Sequence, residues 1–306
     1  MMLLMTAEKN TKTTCNICGS GDISNLGRII NGHYSKNFLK DYSLLECKKC
    51  SLRFIYPIPS NDVLNFIYSD PQYKTQWGVV KENEKSSRYL NFEYYFKIIS
   101  NYKSKKDVKV LDCGCATGCF LDVAEKNGIE CYGVETSEIP YKIAENKHPK
   151  KVCKSNMEDL KIKDGFFDII TMFDFIEHVK DPRKILIKAN RLLSKSGILF
   201  IVTPDTESLS ISIMGKSHND YIIEHLHLFN KSNIRYFLKR YGFKTIKIQP
   251  AKKVINLDFA EKVFKRHTNI FYYPIHFINK LLPKKITQFP IKLSFGGMLI
   301  IAKKAK

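Results

Sequence analysis

The chain has 306 residues, 44% of them hydrophobic and 26% charged, which excludes a disordered polypeptide and is enough for one large domain plus a small one. No apolar run approaches the roughly 18 residues of a membrane span, and MMLLM passes into TAEKN without a secretory core, so a cytoplasmic protein is expected. A formal charge of +20 directs attention to nucleic acid, an anionic membrane or an anionic substrate, and residues 251–306 hold twelve Lys and Arg against Asp258 and Glu261. The plainer reading is that the lysines are solvated surface.

Near the start, TCNICG and ECKKCSL are two CxxC knuckles, each followed by a turn-forming small residue, with 28 residues between them. Cys15, Cys18, Cys47 and Cys50 therefore have the spacing of a four-thiolate zinc ribbon. Such a site leaves the metal no open position, so its role is to hold a small β module together. A redox dithiol is the alternative. The other five cysteines, Cys113, Cys115, Cys119, Cys131 and Cys153, read as small core hydrophobes.

After Pro59, a Ser60 cap and the apolar residues Val63, Leu64, Phe66 and Ile67 predict a short helix. Pro71 to Val80, with Tyr73 and Trp77, reads as a loop or lid. From Arg88 to Tyr102 the residues Leu90, Phe92, Tyr95, Phe96, Ile98 and Ile99 recur at helical spacing and are expected to pack.

Val108 to Phe120, VKVLDCGCATGCF, reads as a strand, a turn of small residues and a helix start. Almost bare backbone there lets a ligand lie against N–H groups at a helix N-terminus. The spacing is not GxGxxG, which from Gly114 would require glycines at Ala116 and Cys119. A second short strand, Glu130 to Val134, leads to Glu135, seventeen positions after Gly118, where an open α/β sheet carries an acid for ribose hydroxyls. Next come a helix from Ser137 to Lys147 capped by Ser137, a turn at Asp164-Gly165 and a strand Phe167 to Met172. Residues 173–179, FDFIEHV, follow at the strand's ligand-binding end. A helix from Pro182 to Leu193 stops at Ser196-Gly197 before the strand Ile198 to Thr203. The segment YIIEHLHLF (221–229), a helix Lys231 to Tyr241 and strands Phe243 to Ile248 and Lys292 to Ala302 complete the pattern. Between those last strands, Pro250 to Ile291 reads as an insertion with Leu257, Ala260, Val263, Phe264, Ile275, Ile278 and Leu282 at helical spacing.

VLDCGCATG followed by YGVETS resembles motifs I and II of class I S-adenosylmethionine-dependent methyltransferases. The likeness runs on through SNMEDL, FDIITMFDFIEHVKDP and GILFIVTPD, from about residue 108 to 205. It implies an α/β fold, a doubly wound Rossmann-like sheet whose final two strands are an antiparallel pair. By that resemblance Asp112, Gly114, Cys115, Ala116 and Gly118 hold the methionine end of the cofactor, and Glu135 with Thr136 holds the ribose. Asn156 and Met157 lie by the adenine, and Asp174 is a further cofactor-binding residue. Asn156 stands where many relatives have an acid; its amide oxygen can accept the same hydrogen bond. The leader, ECKKCSLRFIYPIPS, is similar to the zinc-binding leader ahead of some methyltransferases of sugar and polysaccharide pathways. The implied division is a zinc-ribbon-like module at 1–58, a helical linker or lid at 59–105 and the methyltransferase domain at 106–306.

A hydroxyl acceptor needs a base, and His225, beside Glu224, is the first candidate, with His178 the second and His227 a further one. Glu224 can assist His225 only where the segment is a turn or helix, since neighbours on a strand point apart. Glu224-His225 is also similar to a Tyr-x-Glu-His segment of certain sugar C-methyltransferases, but Tyr221 stands one residue too far upstream, so O-methylation is favoured. The leading expectation is a methyltransferase with S-adenosylmethionine as cofactor and structural zinc, acting on a small polar acceptor such as a sugar, glycan precursor or nucleotide-linked sugar. RNA methylation and a non-catalytic zinc-ribbon adaptor are the alternatives. The basic insertion 250–291 is expected either to rest on an anionic membrane surface or to pack over the acceptor pocket.

Overall fold

The computed structural model describes residues 13–29, 39, 41–69, 86–102, 107–215, 218, 220–257, 261 and 269–305. The expected lid at Pro71 to Val80, and the positions Asp258, Ala260, Val263 and Phe264 of the insertion, lie outside the described residues.

Two sheets organise the described chain. The larger has seven strands; within it β4 (Lys109–Cys113) is flanked by β5 (Glu130–Glu135) and β7 (Phe167–Phe173) in parallel. β6 (Val152–Lys154) extends it on one side and β8 (Leu193–Pro204) on the other. β10 (Phe243–Ile255) and β11 (Ile291–Lys304) form an antiparallel pair, with β11 inserted between β8 and β10. Apart from Lys109, side chains of β4 are buried throughout, as a strand covered by helices on both faces must be. Four helices supply much of that cover: α2 (Ser87–Ile99), α3 (Cys119–Lys126), α4 (Glu138–Lys147) and α5 (Pro182–Leu192); α6 (Leu209–Met214) and α7 (Lys231–Arg240) follow β8. The parallel strands, the crossover helices and the single reversed strand β11 are the Rossmann-like methyltransferase topology.

The second sheet is the leader's. β1 (Ile23–Arg28), β2 (Ser43–Cys47) and β3 (Arg53–Tyr56) form an antiparallel meander, and β9 (His227–Leu228) pairs with β3 as a fourth strand. The chain thus returns from the large domain to complete the leader's sheet. Ile17, Leu52 and Phe54 share one buried apolar cluster with Ile234, Phe237 and residues of β7 and β8, so leader and sheet have a common core.

Several boundaries differ from the expected ones. β10 does not end at Ile248 but continues to Ile255, because Lys252 to Ile255 pair with Ile291 to Ser294; the helical insertion is correspondingly shorter. Pro250 is tolerated because β10 is an edge strand and the register slips between Pro250 and Lys252. Leu193 already pairs with Phe167, and Ser196-Gly197 is absorbed in a bulge of β8 in place of the expected stop. Ser137 does occupy the N-cap of α4, yet its side chain makes no capping bond. In α1 (Asn61–Ser69) the Ser60 hydroxyl accepts from Val63 N at 3.3 Å as expected, but Phe66 is 58% exposed while Val63, Leu64 and Ile67 are buried. Cys153 is exposed; the other four cysteines of the large domain are buried.

Candidate functional site

The loop after β4 is shaped by its backbone. Gly114 has φ +71°, and a Cβ there would sit 2.7 Å from the Phe175 ring, so only glycine fits. Ala116 also takes a positive φ, 47°, which costs a residue with a side chain and needs a partner to hold it. That partner is Glu135: its Oε2 accepts from Ala116 N at 3.0 Å, and its Oε1 accepts from Ser137 N at 2.7 Å. One carboxylate from the end of β5 therefore ties two loops together, and each oxygen keeps a lone pair for a ligand hydroxyl. Thr136 beside it is exposed.

Asp112 is 3% exposed and accepts from the Thr171 hydroxyl at 2.7 Å. Burial pushes its carboxyl up to about 7, against the opposing pull of that hydroxyl and of Arg88. A buried acid so poorly compensated is suited to the cationic methionine end of S-adenosylmethionine. Burial likewise pushes the Cys113, Cys115 and Cys131 thiols well up, which makes them inert packing groups. Asn156 is exposed and gives its amide N–H to Asp159, leaving its carbonyl oxygen as acceptor. Met157 is 2% exposed, with its sulfur 3.5 Å from the Cys113 Sγ, so its side chain packs in the core.

α2 closes this half of the site. Phe92 packs edge-on against Phe120, and Tyr95 stacks on Phe173. These aromatics pack as expected, joined by the buried Tyr89.

Beyond the ends of β7 and β8 lies a second, more polar half. Asp174 is exposed, has φ 47°, and faces Lys253 Nζ at 3.5 Å. Glu177 is fully buried; its Oε2 accepts from the Thr203 hydroxyl at 3.0 Å and its Oε1 has no partner. Burial, reinforced by Asp174, drives the Glu177 carboxyl well up. His178 has a sealed Nδ1 without a partner, and burial pushes its imidazole down to about 4. Its ring meets that of His225 edge-on at 4.8 Å. Ligating atoms of Glu177, His178 and His225 lie within 4.8 Å of one another, a donor set that a divalent cation could also use.

His225 sits on a turn, its N–H bonded to Ile222 O at 3.1 Å. Glu224 does not orient it, contrary to the sequence expectation. The turn instead brings the Asp220 carbonyl to His225 Nδ1 at 2.8 Å, which fixes the proton on Nδ1 and leaves Nε2 as acceptor. Burial, with His178 beside it, holds the His225 imidazole well below its ordinary range, so it is neutral at pH 7. Glu224 is buried too; its Oε2 is unpartnered and burial raises its carboxyl to about 7. His227 is structural: Val179 O and Asn16 Nδ2 occupy its two ring nitrogens.

Sequence reasoning assigned no role to Lys253, Asp220 or Arg53. Lys253 fell in the supposed insertion. Arg53, in the leader, bonds Glu46 at 2.7 Å and the Tyr221 hydroxyl, so the leader braces the turn that carries His225. Ile55 N adds a bond to Leu226 O at 3.1 Å.

The four leader cysteines converge. Their Sγ atoms lie within 4.8 Å of one another, with Cys15–Cys50 and Cys18–Cys47 both at 3.5 Å. Sulfurs about 2.3 Å from zinc define a tetrahedron with edges of roughly 3.8 Å, so the cluster fits a structural zinc ion.

The methyltransferase domain family matches residues 87–248, more than half of the chain. The chain belongs to that family. Among curated relatives, a Methanocaldococcus jannaschii protein of unassigned function is 30% identical over 137 residues, 44% of this chain and 57% of its own. The ubiquinone biosynthesis O-methyltransferase of Pelagibacter ubique is 33% identical over 113 residues, 35% of this chain and 47% of its own. The chain thus spans about half the length of the curated relatives it matches. A SAM-dependent methyltransferase structure from Archaeoglobus fulgidus superposes with TM-score 0.51 at 24% identity, covering 77% of this chain and all of the other. The YcgJ protein of Bacillus subtilis gives 0.50 at 18% identity, covering 71% of this chain and 99% of its own. At those identities the likeness is one of fold.

Proposed function

We propose that the protein transfers a methyl group from S-adenosylmethionine to a hydroxyl oxygen of a small polar acceptor, with His225 as the base. The observation that carries this reading is the pair of buried polar atoms without a partner beside the His225 ring, Glu177 Oε1 and His178 Nδ1. Buried polar groups left bare cost about 1–3 kcal/mol each, and a ligand rich in hydroxyls offers both donors and acceptors to satisfy them.

The bound sulfonium supplies a methyl carbon open to in-line displacement. The chain's own residues do the rest: Glu135 grips the ribose hydroxyls, Asp112 faces the cationic end, and Asn156 accepts from the adenine amino group. Asp174 and Lys253 border the acceptor. As the acceptor oxygen takes the methyl group and the carbon–sulfur bond breaks to leave a neutral thioether, the hydroxyl proton would pass to His225 Nε2, whose tautomer is set by the Asp220 carbonyl. In this reading four cysteines would hold zinc in a module at 1–58, with a linker or lid at 59–105 and the methyltransferase domain at 106–306.

A sugar, glycan precursor or nucleotide-linked sugar suits the polar lining, and we take it as the acceptor class. A phenolic hydroxyl is the second reading, favoured by the printed activity of the Pelagibacter relative. RNA suits the lining less, because Asp174, Glu177, Asp220 and Glu224 would meet phosphates with like charge once ionised. The test is His225→Ala. Turnover should fall about 100-fold or more while cofactor affinity stays unchanged. A variant that keeps wild-type turnover from pH 6 to pH 9 removes His225 from the role and leaves His178 or positioning alone.

A further inference from the structure

From residue 262 to the end of the sequence there is no Asp or Glu, while ten Lys and Arg occur. Within that stretch lie α8 (Asn269–Leu281), the short α9 (Lys284–Thr287) and the start of β11. Tyr273, Phe277 and Leu281 stand at i, i+4 and i+8 of α8, a single stripe along one side, and each is at least 63% exposed. Ile286 and Phe289 continue the apolar surface beyond the helix, 51% and 65% exposed. Ile291 and Leu293, two apart on β11 and so on one face, are each 44% exposed. Lys280, Lys284 and Lys285 are exposed among them. The side chain of Phe271 lies outside the described residues.

We propose that this surface is a docking site for the anionic face of a lipid bilayer. Large apolar and aromatic side chains ringed by lysines match an interface whose outer layer is negative and whose next layer is hydrocarbon; the acid that reaches α8, Glu261, is taken up by His276 at 2.7 Å and by Asn279. A second copy of the chain is a poor occupant, because a two-fold contact would set the lysines of one copy against those of the other. Location adds a consequence. Leu293 is the direct cross-strand partner of Lys253, whose ammonium faces Asp174, so the docking surface adjoins the acceptor half of the site. Attachment there would bring that half to the lipid surface.

The test is flotation of the full-length protein with phosphatidylcholine vesicles and with phosphatidylcholine–phosphatidylserine vesicles. The expected result is binding to the acidic vesicles at low salt, release as salt rises and little binding to neutral ones. Two variants separate the contributions. Lys280→Gln/Lys284→Gln/Lys285→Gln should weaken binding about 100-fold, since each lysine near an acidic leaflet is worth roughly fivefold. Phe277→Ser/Phe289→Ser should weaken it at least about tenfold with the lysines intact. Both sets change exposed positions, so melting temperatures should match wild type. Absence of binding to acidic vesicles at low salt overturns the proposal. So does binding unaffected by the phenylalanine changes, or tighter binding to single-stranded RNA with vesicles unable to compete.

Discussion

Replacing Glu135 should separate two jobs that its carboxylate performs at once. In the protein without ligand, the two oxygens accept from Ala116 N at 3.0 Å and Ser137 N at 2.7 Å. Hydrogen bonds to a charged group are worth about 1.5–3 kcal/mol each, and the first of these holds Ala116 at a positive φ. Glu135→Ala should therefore lower the stability of the unliganded protein by about 2–4 kcal/mol after water replaces part of the loss. It should also weaken S-adenosylmethionine by about 1.5–3 kcal/mol, roughly 10- to 150-fold in Kd, through the ribose bonds. Glu135→Gln discriminates further. An amide has one oxygen for two backbone N–H donors, so its NH2 must face one of them, and the variant should resemble Ala more than wild type. Calorimetric titration gives the affinity and thermal melting of the unliganded protein gives the stability. An Ala variant with Kd within about twofold of wild type, or a Gln variant with both properties restored, would refute the reasoning.

Other consequences can be measured on the same preparation. Asp112 titrates near 7 in the free protein, and a cationic ligand end favours its ionised form; affinity for S-adenosylmethionine should therefore fall as pH drops below 7, and a Kd constant between pH 5 and pH 8 would contradict that role. Purified protein should carry about one zinc per chain, and Cys47→Ser should lose it together with several degrees of melting temperature; metal analysis of chelator-free wild type that finds none rejects the four-thiolate site. Because the leader braces the turn bearing His225, Arg53→Ala should lower turnover about tenfold while zinc content and cofactor affinity stay at wild-type values; equal turnover would make the Tyr221 contact incidental.

What the sequence disclosed and what it hid divide along the range of the interactions. The strand, loop and helix around Gly114 and the acid at Glu135 are written in residues a few positions apart, and alternation of strand and helix suffices to order the parallel sheet. The cysteine knuckles were equally legible, since each is local and the pair has metal spacing. The remainder depends on distant partners. β10 runs past Pro250 because Ile291 to Ser294 pair with it, and this carries Lys253 into the site. His225 is oriented by a carbonyl five residues back, and no residue type advertises a backbone carbonyl; the neighbouring Glu224 was the visible but wrong partner. Nothing in His227 and Leu228 signals that they complete a sheet begun by residues 23–56. Ile275 and Ile278 were read correctly as helical, but the stripe left exposed on α8 is Tyr273, Phe277 and Leu281, and spacing alone does not say which side of a helix faces protein.

The central claim is methyl transfer to a hydroxyl, and the most direct measurement is product detection. Zinc-loaded protein is incubated with isotopically labelled S-adenosylmethionine and a panel of nucleotide sugars, glycan precursors and phenolic acceptors, then the mixture is read by mass spectrometry. The account predicts one acceptor class that gains the mass of a single methylene unit with the label attached through oxygen, and no gain with His225→Ala in the same time. Labelled product on carbon, on RNA added to the panel, or equal product from the His225 variant would contradict it.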